Sequence, residues 1–311
     1  MSITTSASII TDQATIRSAI REKFVAAPAS TWRSLRDIAF DWIVVGLIVW
    51  AVYRMGMLIT PLAIVVIGNR QRALGNLLHE ASHQNLSPQR PINDMIGTLL
   101  LAAPLLNSLP HYRRQHAKHH AWLGDLERDP DLICCTVNQG DCWLHVYIRV
   151  LRAYPAWKGS LLGHLTDRHI TFDQRLTIVL WWFWFEAALA VLVGTHAAWL
   201  FLLLWIVARG TAFHAITTFR EMTDHYGLNQ RGIFEYTREV PDHGPVSILL
   251  HPHHNGYHVT HHLFPHVPYY ALPRAHALLV QIPEFAKRAR ISNAYLHGQH
   301  ACVDGWGARH A

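Results

Sequence analysis

Along this chain hydrophobic and polar residues segregate into blocks tens of residues long, far longer than a strand. Apolar runs occupy residues 38–52, 57–78, 176–193 and 196–219. The second is broken only by Asn69-Arg70-Gln71-Arg72, and the third reads LTIVLWWFWFEAALAVLV. As a helix the third run extends roughly 27 Å, close to the ~30 Å of a hydrocarbon core. A fifth patch, residues 96–106, is too short to cross and contains Pro104, so it reads as a re-entrant or interfacial segment. The pattern predicts an all-α membrane protein with four transmembrane helices arranged as two hairpins.

Charge gives the hairpins a direction. Arg17, Arg21, Lys23, Arg33 and Arg36 precede the first run, and Lys287, Arg288 and Arg290 follow the last. The connection between runs two and three is also basic, whereas the turns at 53–56 and 194–195 are short and nearly uncharged. The positive-inside rule therefore places both termini and residues 79–175 in the cytoplasm, as a helical cap. Ile16, Ile20 and Phe24 share one helical face, with Arg17, Arg21 and Lys23 elsewhere. That suits either an interfacial amphipathic helix or an ordinary cytosolic one. Glu186 and Arg209 lie inside apolar runs, and a helix-packing role is the expectation for both.

Composition adds one anomaly. The 24 histidines outnumber the 21 acidic residues in a chain that is 50% hydrophobic. A net charge of +6 suits nucleic acid, anionic lipid or an acidic partner, but no nucleic-acid module is visible and the apolar runs point to lipid. Four cysteines, three of them clustered, read as reduced thiols rather than a disulfide framework. The stretch MSITTSASIITDQ shows no charged segment followed by an apolar core, so no cleaved signal peptide is expected.

The histidines are clustered at expected cytosolic edges. His79 and His83 end the second run; His116, His119 and His120 sit in the connection; His258, His261 and His262 follow the fourth run. Positions i, i+3 and i+4 share a helix face, so each cluster turns its imidazoles to one side. Eight nitrogens exceed what one tetrahedral zinc uses and suit two ions, each with an open position. A pair of oxygen-activating irons fits such a set. Two rivals remain. His79-Glu80-Ala81-Ser82-His83 also matches the H-E-x-x-H of zinc proteases, with Glu80 as base. A non-enzymatic membrane protein that buffers or carries metal is the other.

These motifs resemble the membrane-bound fatty acid desaturase and hydroxylase superfamily, in its bacterial acyl desaturase form. Its boxes H-x(3–4)-H, H-x(2–3)-H-H and [HQ]-x(2–3)-H-H correspond to HEASH, HAKHH and HVTHH. The flanks HHAWLGDLERDPD and NGYHVTHHLFPHVPYYALPRAH are similar too. Residues 220–225 resemble an R-x-x-x-E-H element, with Asp224 where the pattern has Glu. The resemblance spans roughly residues 38–285. It implies a cytosolic N-terminal segment (1–36), a membrane catalytic domain (37–285) and a basic tail (286–311). It further implies that His225 joins the iron ligands and that an acyl chain lies in an apolar tunnel.

The implied reaction is oxygen-dependent desaturation of an acyl chain carried by a lipid or an acyl carrier protein. A hydroxylase or ketolase outcome is the alternative within the same superfamily. Two non-haem iron ions and O2 would serve it in the cytoplasmic membrane. Electrons must come from a ferredoxin- or cytochrome-type donor, because the chain has no C-x-x-C-H, iron–sulfur cysteine set or dinucleotide fingerprint. The basic face suits docking of an acidic donor, a carrier protein or anionic headgroups.

Histidine ligands usually donate their other N–H to a carboxylate or carbonyl. Glu80, Asp125, Glu127, Asp129, Asp131 and Asp224 are close enough in sequence to serve, or are solvated surface acids. Asn255 either holds an iron-bound water or is a turn residue beside Gly256. His111, His251, His253, His254, His266 and His276 are expected at the polar rim or bonded to ligands. Pro265, Pro268 and Pro273 should stop the third-box helix, after which Tyr269 and Tyr270 line a substrate entrance or sit as interfacial aromatics.

Overall fold

The computed structural model describes residues 2–20 and 27–308; Arg21, Lys23, Phe24 and His310 lie outside the described residues. The fold is mostly helical. Ten helices lead: α1 (Ser2–Ile20), α2 (Thr31–Met55), α3 (Thr60–Ser82), α4 (Arg90–Ile96), α5 (Leu109–Ala121), α6 (Trp143–Leu151), α7 (Tyr154–Leu162), α8 (Phe172–Val193), α9 (Thr195–Ala208) and α10 (His214–His225). Shorter elements follow: α11 (Gly232–Tyr236), β1 (Arg238–Glu239), α12 (Gly244–Leu250), α13 (His258–Leu263), α14 (Leu272–Leu279), α15 (Pro283–Arg288) and β2 (Arg290–Ile291). The chain divides into two compact units.

One unit comprises Ser30–Tyr112 and Leu151–Thr217. Its helices begin and end where local chemistry demands. The Ser30 side chain accepts the Arg33 N–H to start α2, and a reciprocal Thr171–Gln174 capping box starts α8. Gly56 and Gly194, at φ 83° and 93°, end those two helices in conformations that favour glycine. Three helices are long and apolar enough to cross a membrane: Thr31–Met55, Phe172–Val193 and a continuous Thr195–His225. α8 leaves Phe183, Trp184, Val191 and Leu192 exposed, as a lipid-facing surface requires.

The second apolar run forms α3, which passes unbroken through its polar interruption. Asn69, Arg70, Gln71 and Arg72 are all buried. Arg70 pairs with Asp41 of α2 at 2.8 Å; Gln71 donates to the Trp205 carbonyl at 2.9 Å; Arg72 donates to Asn76 at 2.8 Å. Gly68 allows a tight crossing, since a Cβ there would lie 2.6 Å from the Phe213 nitrogen. Arg209 is buried and donates to the Leu161 and Ser160 carbonyls, a packing role. Residues 97–106 bury Leu101, Ala103 and Leu105, and receive indole N–H bonds from Trp182 and Trp205 at the Ala103 and Pro104 carbonyls.

The other unit comprises Met1–Ala29, Arg113–Val150 and Thr218–Ala311. Here α1 packs on α11 and α13. Its Ile9, Ile16 and Ile20 are buried, and buried Asp12 accepts bonds from the Ile233 N–H and Arg288. Val146, Val150, Met222, Tyr226, Val303 and Trp306 form a core, so residues near the C-terminus are built into this unit. β1 and β2 pair in parallel, Arg238 opposite Arg290 and Glu239 opposite Ile291. All four cysteines are free thiols.

Candidate metal centre

Three pieces of the second unit carry histidine to one place. α5 presents His116, His119 and His120 at the i, i+3, i+4 spacing of one helical face. α13 presents His258, His261 and His262 the same way, and Phe264 and Pro265 follow its last residue. α10 ends on His225.

His119, His225, His258 and His262 form one group, their ligand nitrogens all within 4.8 Å of one another. Nε2 of His258 stands 3.0 Å from Nε2 of His225 and 3.2 Å from Nε2 of His262. The opposite nitrogens are held from behind: His119 Nδ1 lies 2.8 Å from Asp129, and His225 Nδ1 lies 2.8 Å from the Tyr236 carbonyl. Asp224 stands 3.4 Å from His258 Nε2 and pairs with Arg220 at 2.6 Å. A second set lies beside the first. His120 Nε2 is 3.0 Å from His116 Nε2 and 3.1 Å from His261 Nε2.

Electrostatics favour lone pairs directed inward. Burial, reinforced by neighbouring histidines, holds His258 and His262 well below the usual imidazole value, so both are neutral at neutral pH. Burial pulls His119 down as well, but its bond to Asp129 and the charges of Asp131, Asp129 and Asp224 more than offset that, and its pKa is raised. A carboxylate-backed imidazole is a more basic ligand with a fixed orientation. Neutral His258 and His262, together with His119 and His225 fixed from behind by Asp129 and the Tyr236 carbonyl, make a nitrogen set suited to a transition-metal ion, and iron is among the metals imidazole suits.

In the other unit, His79 and His83 close α3, with ring centroids 5.1 Å apart. Glu80 lies 3.2 Å from His79 Nδ1 through one oxygen and accepts the Asn85 amide at 3.1 Å through the other. Both oxygens are thus engaged in holding side chains, as in a supporting carboxylate.

The other expected supports divide. Asp129 accepts the Gly124 and Asp131 N–H groups in addition to holding His119. Asp131 is half exposed and 3.9 Å from His119. Asp125 accepts the Glu127 and Arg128 N–H groups, an Asx-type turn rather than a histidine contact. Asn255 is buried, its Oδ1 without a hydrogen-bond partner among the described residues. His251 bonds Tyr295 through Nδ1 at 2.8 Å and Thr223 through Nε2 at 3.1 Å, and lies 3.7 Å from Asp224. In the apolar unit, His111 stands 3.4 Å from Asp167 of the same unit. Tyr269 is buried, and Tyr270 donates to the Pro28 carbonyl.

Two residues escape sequence reasoning. Buried Glu239 accepts bonds from the Thr260 N–H, the Thr260 hydroxyl and His276, and buried Arg238 donates to three carbonyls at the end of α10. A carboxylate nineteen positions before a box carries no periodic signal; only the trailing LPRAH with its His276 hinted at a partner. A cavity of about 500 Å³ is lined by His225 together with Cys134, Cys135, Tyr226, Gln230 and Tyr236.

Comparison with known proteins gives this arrangement its relatives. A family profile described as fatty acid desaturase matches residues 24–293. The chain is 28% identical to the dihydrorhizobitoxine desaturase of Bradyrhizobium elkanii, over 81% of this chain and 76% of that protein. It is 28% identical to the beta-carotene ketolase of Paracoccus sp. (strain PC1), over 64% and 71% respectively. Against the sn-1 oleoyl-lipid 12-desaturase of Anabaena variabilis identity is 22%, over 53% and 50%.

Proposed function

We propose, from the premise that this chain belongs to the fatty acid desaturase family and is an oxidoreductase, that it desaturates an acyl chain with O2 at a di-iron centre. The observation that carries this is the group of His119, His225, His258 and His262, with Asp129 and the Tyr236 carbonyl behind it. His119, His225, His258 and His262 would hold one iron, and His116, His120 and His261 would serve the other; His79 and His83 of the first box stay in the proposed set of ligands. The irons supply oxygen activation strong enough to take hydrogen from an unactivated C–H bond. The protein's part is to keep His258 and His262 neutral, to fix His119 and His225 from behind, and to exclude bulk water from buried rings. Removal of two hydrogens leaves an alkene.

The acyl reading takes support from the lipid desaturase relative and from the exposed apolar faces of the long helices. α3 would act as a fourth span, its buried polar run paired within the helical bundle. Both termini and residues 79–175 would face the cytoplasm, where a ferredoxin- or cytochrome-type donor supplies electrons and a lipid or acyl carrier protein presents the chain. The ketolase relative favours one second reading, oxygen insertion at the same centre.

The test is metal analysis of purified protein followed by mass spectrometry of acyl substrates incubated with O2 and a reduced donor. About two irons per chain and a product lacking two hydrogens are expected. A product that gains one oxygen turns the assignment to hydroxylation or ketolation. One zinc without iron would return HEASH to the protease reading.

A further inference from the structure

β1 is only two residues long, yet it touches both helices that bring His225 and His258 together. Successive strand residues point to opposite faces. The Arg238 side chain goes to α10, where its guanidinium donates to the carbonyls of Tyr226 at 2.8 Å, Thr223 at 3.2 Å and Met222 at 3.5 Å. It also donates to the Asp304 carbonyl at 3.1 Å. Carbonyls at a helix C-terminus attract cations, and these flank His225; that of Met222 also accepts the Tyr226 N–H at 3.1 Å. Burial lowers the pKa of Arg238 to about 10, which leaves it charged at neutral pH.

The Glu239 side chain goes to α13. One oxygen accepts the Thr260 N–H at 2.9 Å; the other accepts the Thr260 hydroxyl and lies 2.8 Å from His276 Nδ1. Thr260 sits between His258 and His261, so this carboxylate grips the third-box helix from inside. The backbone adds a further tie, because the Val240 N–H donates to the Gly256 carbonyl at 2.7 Å, two residues before His258. Only glycine permits that approach: a Cβ at Gly256 would lie 2.2 Å from the Val240 oxygen. Pairing with β2 and the bond from Ser292 N–H to the Glu239 carbonyl hold the strand itself.

We infer that Arg238 and Glu239 are positioning residues that set the end of α10 against α13 and thereby fix the separation of His225 from His258 and His262. The inference rests on the two-ion reading of the histidines. It distinguishes the two ions: Arg238 acts through His225, which belongs to one group, whereas Glu239 acts through α13, whose histidines serve both.

The test uses full-length protein loaded with cobalt(II), read by visible absorption and by metal content, alongside thermal unfolding. Arg238→Met should alter the bands of one cobalt and weaken its retention about 10–100-fold while the other is unchanged. Glu239→Ala should alter both, and Glu239→Gln, which keeps an acceptor for the Thr260 N–H, should restore most of the signal. If either severe variant fails to fold, Thr260→Val and Arg238→Lys give milder forms of the same two perturbations. Unchanged cobalt spectra and stoichiometry in folded variants, with only a lower unfolding temperature, would overturn the inference. A wild-type protein that takes up fewer than two ions would instead overturn the two-ion reading beneath it.

Discussion

Both units bury complementary polar pairs, and the histidine-bearing unit adds a second kind of polar burial. In the apolar unit every buried cation described above meets a complementary group: Arg70 meets Asp41, Arg72 meets Asn76, and Arg209 meets two carbonyls. In the histidine-bearing unit, nitrogens converge on nitrogens, with Nε2 atoms 3.0–3.2 Å apart. Opposite partners complete each other and fix packing; like donors facing one another call for something electron-poor between them. The contrast separates polar burial that builds the scaffold from polar burial that could hold a metal ion.

The sharpest way to break this contrast is to remove one converging ring. His262→Ala should leave one iron per chain instead of about two and reduce product to background, with helical content retained by circular dichroism. Next is the scaffold pair. Asp41→Ala removes the carboxylate from a buried guanidinium that keeps the neutral Asn69 amide, and should cost about 3–5 kcal/mol of unfolding free energy in detergent, while the folded fraction keeps its full metal content. An Asp41 variant that lost iron without losing stability would erase the distinction. Asp129→Asn weakens the support behind His119 and should lower iron affinity or turnover about 10–100-fold at nearly unchanged stability. Smallest is Thr171→Ala, which removes the capping box of α8; about 1 kcal/mol of stability and no change in metal content are expected.

Much of the histidine geometry was legible because helical spacing is local. Within α5 and α13 the i, i+3, i+4 pattern alone puts three rings on one face. His225 has no such repeat, and only the resemblance of residues 220–225 to a known element marked it. Asp224, despite being shorter than the glutamate of that element, still reaches His258 and pairs with Arg220. The polar break in the second apolar run is paired across space, since Arg70 meets an aspartate twenty-nine positions earlier. The same holds for Arg238 and Glu239, whose partners lie on other elements. Periodicity reports which face a residue occupies and nothing about who stands opposite. Asp125 was the converse case, near the second box in sequence but turned to backbone N–H groups.

The four-histidine group also has a place in time. Its members lie at positions 119, 225, 258 and 262, so the first ring leaves the ribosome long before the last one exists. Two long apolar helices, α8 and α9, are synthesised between the first ring and the second. Non-local closure of this kind comes late in folding, after local helices and their packing are established. With the ions proposed for this group, metal loading would be a closing step of biogenesis. A cell short of iron would accumulate chain whose helices had formed but whose centre awaited its ions.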